Sequence, residues 1–181
     1  MTRIILTYGL ISGLVIIFAI MGTLMIFQGD PPHANVYVGY LIMLVALSSI
    51  FVAIKQHRDR NLGGVIRFRT ALGLGLGIAA IAGLAYILIW EVYLATTNYA
   101  FMDQYIAQTL EAKRAAGVTG AAYDKAVAET EVMRAQYANP LFRVPITFAE
   151  IFPVGLIIAL VSAVLLRNPR FLPARPPVSP A

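Results

Sequence analysis

Two carboxylates and a proline interrupt stretches otherwise suited to lipid. Glu150 lies in ITFAEIFPVGLIIALVSAVLLR, residues 146–167, three residues ahead of Pro153, and Glu91 follows Trp90 at the end of another apolar run. Two carboxylates in a low dielectric cannot both ionise cheaply, so one takes up a proton or a cation sits between them. If the helices bring Glu91 and Glu150 together, their chemistry is that of a small proton or cation site, or of a polar lock between two spans. Counted inward at helical rise, both lie about 5–10 Å below the same surface. His33, in the short loop on that side, is a third candidate. Pro153 has no N–H to donate, which frees the carbonyl of Ala149 for an ion or water.

Plainer readings stand beside this one. Glu91 belongs to a Trp90-Glu91-Val92-Tyr93 belt, from which a polar side chain reaches the headgroups. Glu150 is near the start of a helix expected from Pro145, where the macrodipole favours an anion. Either acid could instead meet another subunit, and His33 alone reads first as a loop residue. The residues by themselves leave these alternatives open.

The elements that must position them are spans. Hydrophobic residues make up 59% of the 181 and charged residues 13%, against roughly 45–50% and 25% in soluble domains. The excess is concentrated in four runs, Ile4–Phe27, Val36–Ile54, Ala71–Trp90 and Val144–Leu166. Each is long enough to cross a ~30 Å hydrocarbon core as helix. The first carries only Arg3 ahead of it and is 24 residues long, too long for the apolar core of a cleaved signal, so it is expected to be retained as a span. The expected fold is all-α, a four-helix transmembrane bundle with spans near 4–27, 36–54, 70–94 and 144–166. Between spans three and four, helical spacing predicts an extracytoplasmic hairpin, 98–116 and 121–138, joined at Val118-Thr119-Gly120. Little separates span three from the hairpin, and one helix from Thr70 to Ala116, about 70 Å long, is the expectation. The segment 168–181 has five prolines in fourteen residues and reads as an extended tail.

Glycines suggest how the spans meet. Gly9 and Gly13 form a small-xxx-small pair, and Gly73 and Gly77 belong to the LGLGLG run of span three; all four are expected at helix contacts. That run lacks the Gly-Lys-Ser/Thr ending of a phosphate loop.

The net charge of +5 is informative through its distribution. Lys55, Arg58, Arg60, Arg67 and Arg69 crowd between spans two and three, Arg3 precedes span one, and Arg167, Arg170 and Arg175 follow span four. The 28–35 loop has no Lys or Arg. By the positive-inside rule both termini and the 55–69 loop, His57 included, are expected on the cytoplasmic side of the inner membrane. Orientation and anionic headgroups explain these charges better than nucleic acid does. Zero cysteines exclude disulfides, zinc-thiolate and iron–sulfur sites. With no HExxH or GxSxG signature, the expectation is a non-enzymatic protein without cofactor or metal.

Certain short stretches add a family likeness. Tyr8-Gly9-Leu10-Ile11-Ser12-Gly13, Ile54-Lys55-Gln56 with Arg58-Asp59, Gly63-Gly64, Asn139-Pro140-Leu141-Phe142 and Glu150-Ile151-Phe152-Pro153-Val154-Gly155 occur in that order. The chain resembles, over nearly its whole length, the bacterial membrane proteins called domain of unknown function 4199. The resemblance implies a bacterial four-helix integral membrane protein and supplies no catalytic residues. Two functions fit these observations. One is an accessory or scaffold subunit of a membrane assembly, with the lipid bilayer and other membrane chains, or its own copies, as partners. The other is a small proton- or cation-coupled transporter or channel acting as a homo-oligomer, although the two halves show no inverted repeat.

Overall fold

The computed structural model describes residues 1–26 and 36–174, and the described residues form seven helices and no strand. These are α1 (Thr2–Ile26), α2 (Val36–Leu47), α3 (Ser49–Asn61), α4 (Phe68–Thr96), α5 (Ala100–Ala115), α6 (Ala121–Ala138) and α7 (Pro140–Leu166). Four segments are long and apolar enough to cross a membrane: α1, α2 with α3, α4, and α7. The protein is therefore all-α with four candidate spans. His33 lies outside the described residues.

Helix α4 is the centre of the bundle, packed on α7 along one face and on α1 along another. Small residues make both approaches close. A Cβ added to Gly75 would stand 2.7 Å from that of Ala159, one at Gly155 2.5 Å from that of Ala79, and one at Gly83 2.8 Å from the Phe148 ring. Gly83 also abuts Ile151. Each step of four along α4 is thus matched by a step of four back along antiparallel α7. On the other face Gly77 meets Ile5, Gly9 meets Ile81 and Gly13 meets Ala82 and Ala85, again in steps of four but with the helices parallel. Backbones this close exchange many dispersion contacts, the main attraction between helices in lipid.

Gly73 breaks this pattern and corrects an expectation. A side chain there would meet nothing within 4 Å among the described residues. Extending the α1 register by one turn pairs Gly73 with Met1, whose side chain is half exposed and does not pack on Gly73.

Helix boundaries differ from the sequence expectation in three places. The helix entered at Ser49 continues through Lys55–Asn61, so the KQHRDR segment is helical and both His57 and Arg58 are buried. Helix α7 begins at Pro140, with the Asn139 side chain accepting from the Leu141 N–H at 3.0 Å. Proline at the first helical position costs no hydrogen bond, but Pro145 now falls in the second turn.

The third difference concerns the long helix expected from Thr70 to Ala116. Helix α4 ends at Thr96, and Asn98 and Tyr99 adopt positive φ of 50° and 58°. The Tyr99 N–H reaches back to Leu94 O at 2.8 Å and that of Asn98 to Ala95 O at 3.3 Å. This is a Schellman stop with asparagine in the left-handed position that glycine more often fills. Gly117 ends α5 in the same way.

The α5–α6 hairpin is thinly packed. Met102, Ile106, Thr109, Ala126 and Thr130 are buried, while Val132 and Met133 stay exposed. Its ion pairs, Arg134 with Asp103 at 3.1 Å and Lys125 with Glu129 at 3.8 Å, are solvent-facing.

Candidate functional site

Glu91 is held by Arg143, and the two carboxylates do not converge. Arg143 stands in the first turn of α7, opposite Glu91 in the α4–α7 register described above. Its Nε donates to Glu91 Oε1 at 2.7 Å and its Nη2 to Oε2 at 2.6 Å, a two-pronged pair. The third nitrogen, Nη1, donates to the Tyr137 carbonyl at 2.8 Å. The guanidinium also lies 5.3 Å from the centre of the Tyr99 ring and 5.7 Å from that of Tyr137, within reach for cation–π attraction. Arg143 is only 3% exposed.

The surrounding rings fasten the hairpin to the same point. Trp90 Nε1 donates to the Tyr137 hydroxyl at 2.8 Å, and the Trp90 ring packs edge-on against Phe101 with centres 4.9 Å apart. Burial pushes the Tyr137 hydroxyl above the ordinary tyrosine range, against the downward pull of the Trp90 bond and the Arg143 charge. Tyr137 therefore stays a neutral phenol. The positive φ at Asn98 and Tyr99 turns the chain so that the Tyr99 ring covers Arg143. The site joins α4, α6, α7 and the α4–α5 turn through one buried cation.

Glu150 is outside this ion pair, although its charge is near enough to add to the upward push on the Tyr137 hydroxyl. It is seven residues past Arg143 along α7, about 10 Å deeper at 1.5 Å per residue, which corrects the expectation of a common depth with Glu91. The α4–α7 seam uses Arg143, Thr147, Ile151, Gly155 and Ala159, all buried, and Glu150 flanks that seam on an exposed face. Among the described residues it has no hydrogen-bond partner. Pro153 is on the same exposed face, inside an unbroken helix.

A second polar cluster lies at the opposite end of the bundle. Arg58 of α3 is fully buried; its Nη1 donates to Phe171 O at 2.9 Å and Leu166 O at 3.4 Å, and its Nη2 donates to Leu172 O. Its Nε donates to Asp59 Oδ1 at 2.6 Å, and Asp59 is shared with Lys55. Arg58 thereby ties α3 to the C-terminal end of α7. The Tyr8 hydroxyl donates to Gln56 Oε1, and Ser12 and Ser49 hydroxyls stand 2.6 Å apart, tying α1 to α3. His57 is buried beside this cluster, and its Nδ1 has no hydrogen-bond partner among the described residues. Among the described residues no three His, Asp or Glu side chains gather as a metal-ligand set.

Sequence reasoning singled out Glu91 and missed its partner. Arg58 is read there only as one of the charges that set orientation. One signal for Arg143 was present: it is the last basic residue before an apolar run, entering the same end of the bundle at which Glu91 leaves.

The family model described as protein of unknown function (DUF4199) matches residues 7–168. No curated protein and no solved structure matches the chain. With the match covering most of its length, the chain belongs to that family.

Proposed function

We propose that this member of the DUF4199 family is a non-enzymatic integral membrane subunit whose work is to hold other membrane-embedded chains. The observation that carries the proposal is Glu150, an acid exposed on a spanning helix with no hydrogen-bond partner among the described residues. Ile146, Glu150, Pro153, Ile157, Leu160 and Val164 recur at alternating steps of four and three, and all are exposed. That is the spacing of a helix–helix seam. A carboxylate left in hydrocarbon costs about 3 kcal/mol, and a second helix presenting a donor would remove the cost while covering the apolar residues.

The grouping of Lys55, Arg58, Arg60, Arg67, Arg69, Arg167 and Arg170 at one end of the bundle supports an orientation with both termini cytoplasmic in a bacterial inner membrane. Glu150 also supports a second reading, a proton or cation pathway formed by several copies. That reading must rely on Glu150 alone, because Glu91 is committed to Arg143.

The test is native mass spectrometry after gentle extraction from the producing membrane. A complex with other chains, or a defined homo-oligomer, is expected for the wild type and should dissociate in Glu150→Leu. A wild-type monomer would remove the subunit reading. Proton or cation flux in reconstituted vesicles that is lost in Glu150→Gln would select the pathway instead.

A further inference from the structure

A cleft of about 590 Å³ opens between α1 and α3 at the basic end of the bundle. Its walls are Tyr8, Val52, Lys55, Gln56, Asp59 and Arg60, with Ala174 at its edge. We infer that it holds the phosphate of an anionic lipid headgroup.

The charge balance is the first support. Asp59 is the one acid in the wall, and it is already neutralised twice, by Lys55 Nζ and by Arg58 Nε. Counting those two cations and Arg60 against Asp59 leaves a surplus of two positive charges at the cleft. Arg60 is exposed and the Lys55 side chain is one-third exposed, so both can turn toward a ligand. Arg58 is fully buried behind them, and its bonds to the α7 end hold the helix that presents them.

Hydrogen-bond polarity points the same way. Gln56 accepts the Tyr8 hydroxyl through Oε1, which leaves its amide N–H groups as donors. A site whose open valences are ammonium, guanidinium and amide N–H suits phosphate oxygens. Its position selects lipid over a soluble anion. Val52, one turn before Lys55, is 53% exposed on the outer surface of a candidate span, so acyl chains can lie along α3 directly below the charged wall. Basic recesses between spans at the headgroup level are the usual seats of anionic lipids.

The full-length chain in detergent micelles, titrated with phosphatidylglycerol or with phosphatidylcholine of the same acyl chains and read by native mass spectrometry, tests this. One tightly held phosphatidylglycerol per chain is expected, with phosphatidylcholine weaker. Arg60→Gln should weaken the phosphatidylglycerol adduct about fivefold, and adding Lys55→Gln should weaken it further. Arg170→Gln, a basic residue at the same end but outside the cleft, should leave it unchanged. Equal retention of the two lipids, or equal loss in Arg170→Gln, overturns the site. Displacement of the lipid by inorganic phosphate at matched concentration overturns the lipid assignment in favour of a soluble anion. Because Lys55→Gln also breaks the Asp59 pair, the exposed Arg60→Gln alone keeps the proposal falsifiable if the double variant does not fold.

Discussion

Arg143 and Arg58 are both buried, at 3% and 0% exposure, and both are attached to α7, but at opposite ends and by different chemistry. Arg143 is in the first turn, where the helix macrodipole is positive. A cation there is unfavourable on its own, and it is matched with a full carboxylate, both prongs engaged, and two aromatic rings. Arg58 meets the last carbonyl of α7 and the turn beyond it, where the dipole is negative. Carbonyls serve there, and the nearby Asp59 is shared with Lys55 instead of reserved. The contrast teaches that the same side chain needs an explicit counterion at one end of a helix and hardly needs one at the other.

The sharpest way to break the comparison is to remove the counterion at the unfavourable end. Glu91→Gln leaves Arg143 buried, charged and beside a positive helix end. We expect a loss of about 3–5 kcal/mol, read as a fall in thermal unfolding temperature in detergent. Arg143→Gln in the same chain should recover most of it, since two partners in one ion pair are not additive. A loss below about 1 kcal/mol in the single variant would show that solvent or lipid headgroups satisfy Arg143.

The next effect tests the other end. Arg58→Met keeps the volume but leaves the Leu166, Phe171 and Leu172 carbonyls without their donor, at about 1–3 kcal/mol. Asp59 keeps Lys55, so no orphaned charge remains and the cost should fall below that of Glu91→Gln. Faster tryptic cleavage at Arg167 and Arg170 is the local readout. Arg58→Lys should restore the charge but not the forked geometry, and recover only part of the stability.

Helix packing sharpens the comparison without charge. Gly155→Ala places a methyl 2.5 Å from the Ala79 Cβ and should cost about 1–3 kcal/mol. Gly73→Ala meets open space and should be neutral or stabilising by up to about 1 kcal/mol. Only the Gly155→Ala unfolding temperature should therefore fall. The smallest effect belongs to the hairpin, where Arg134→Ala removes solvent-facing pairs to Asp103 and Glu131 and should cost no more than about 1 kcal/mol.

Four spans, the hairpin helices and the packing roles of Gly9, Gly13 and Gly77 could be read without coordinates because each depends on residues near one another in the chain. Hydrophobic run length decides a span, and small-residue spacing decides which helix face can be approached. The stop at Asn98 is equally local. Its signal was an asparagine two residues past the last helical position, easily overlooked because glycine fills that place more often.

The polar sites were of another kind. Glu91 and Arg143 are 52 residues apart, and Arg58 reaches carbonyls 108 to 114 residues away. Gly73 and Gly77 sit in the same motif, one turn apart, and only Gly77 has an α1 side chain, that of Ile5, packed against it. The amino-acid sequence by itself determined that the chain is helical, where it is apolar enough to cross a membrane and which faces are small enough to pack, because these follow from local side-chain chemistry. Only the tertiary structure decided which charges neutralise one another and that Glu150 has no hydrogen-bond partner among the described residues. Those outcomes depend on the register between helices, and register is set by the sum of many weak packing contacts.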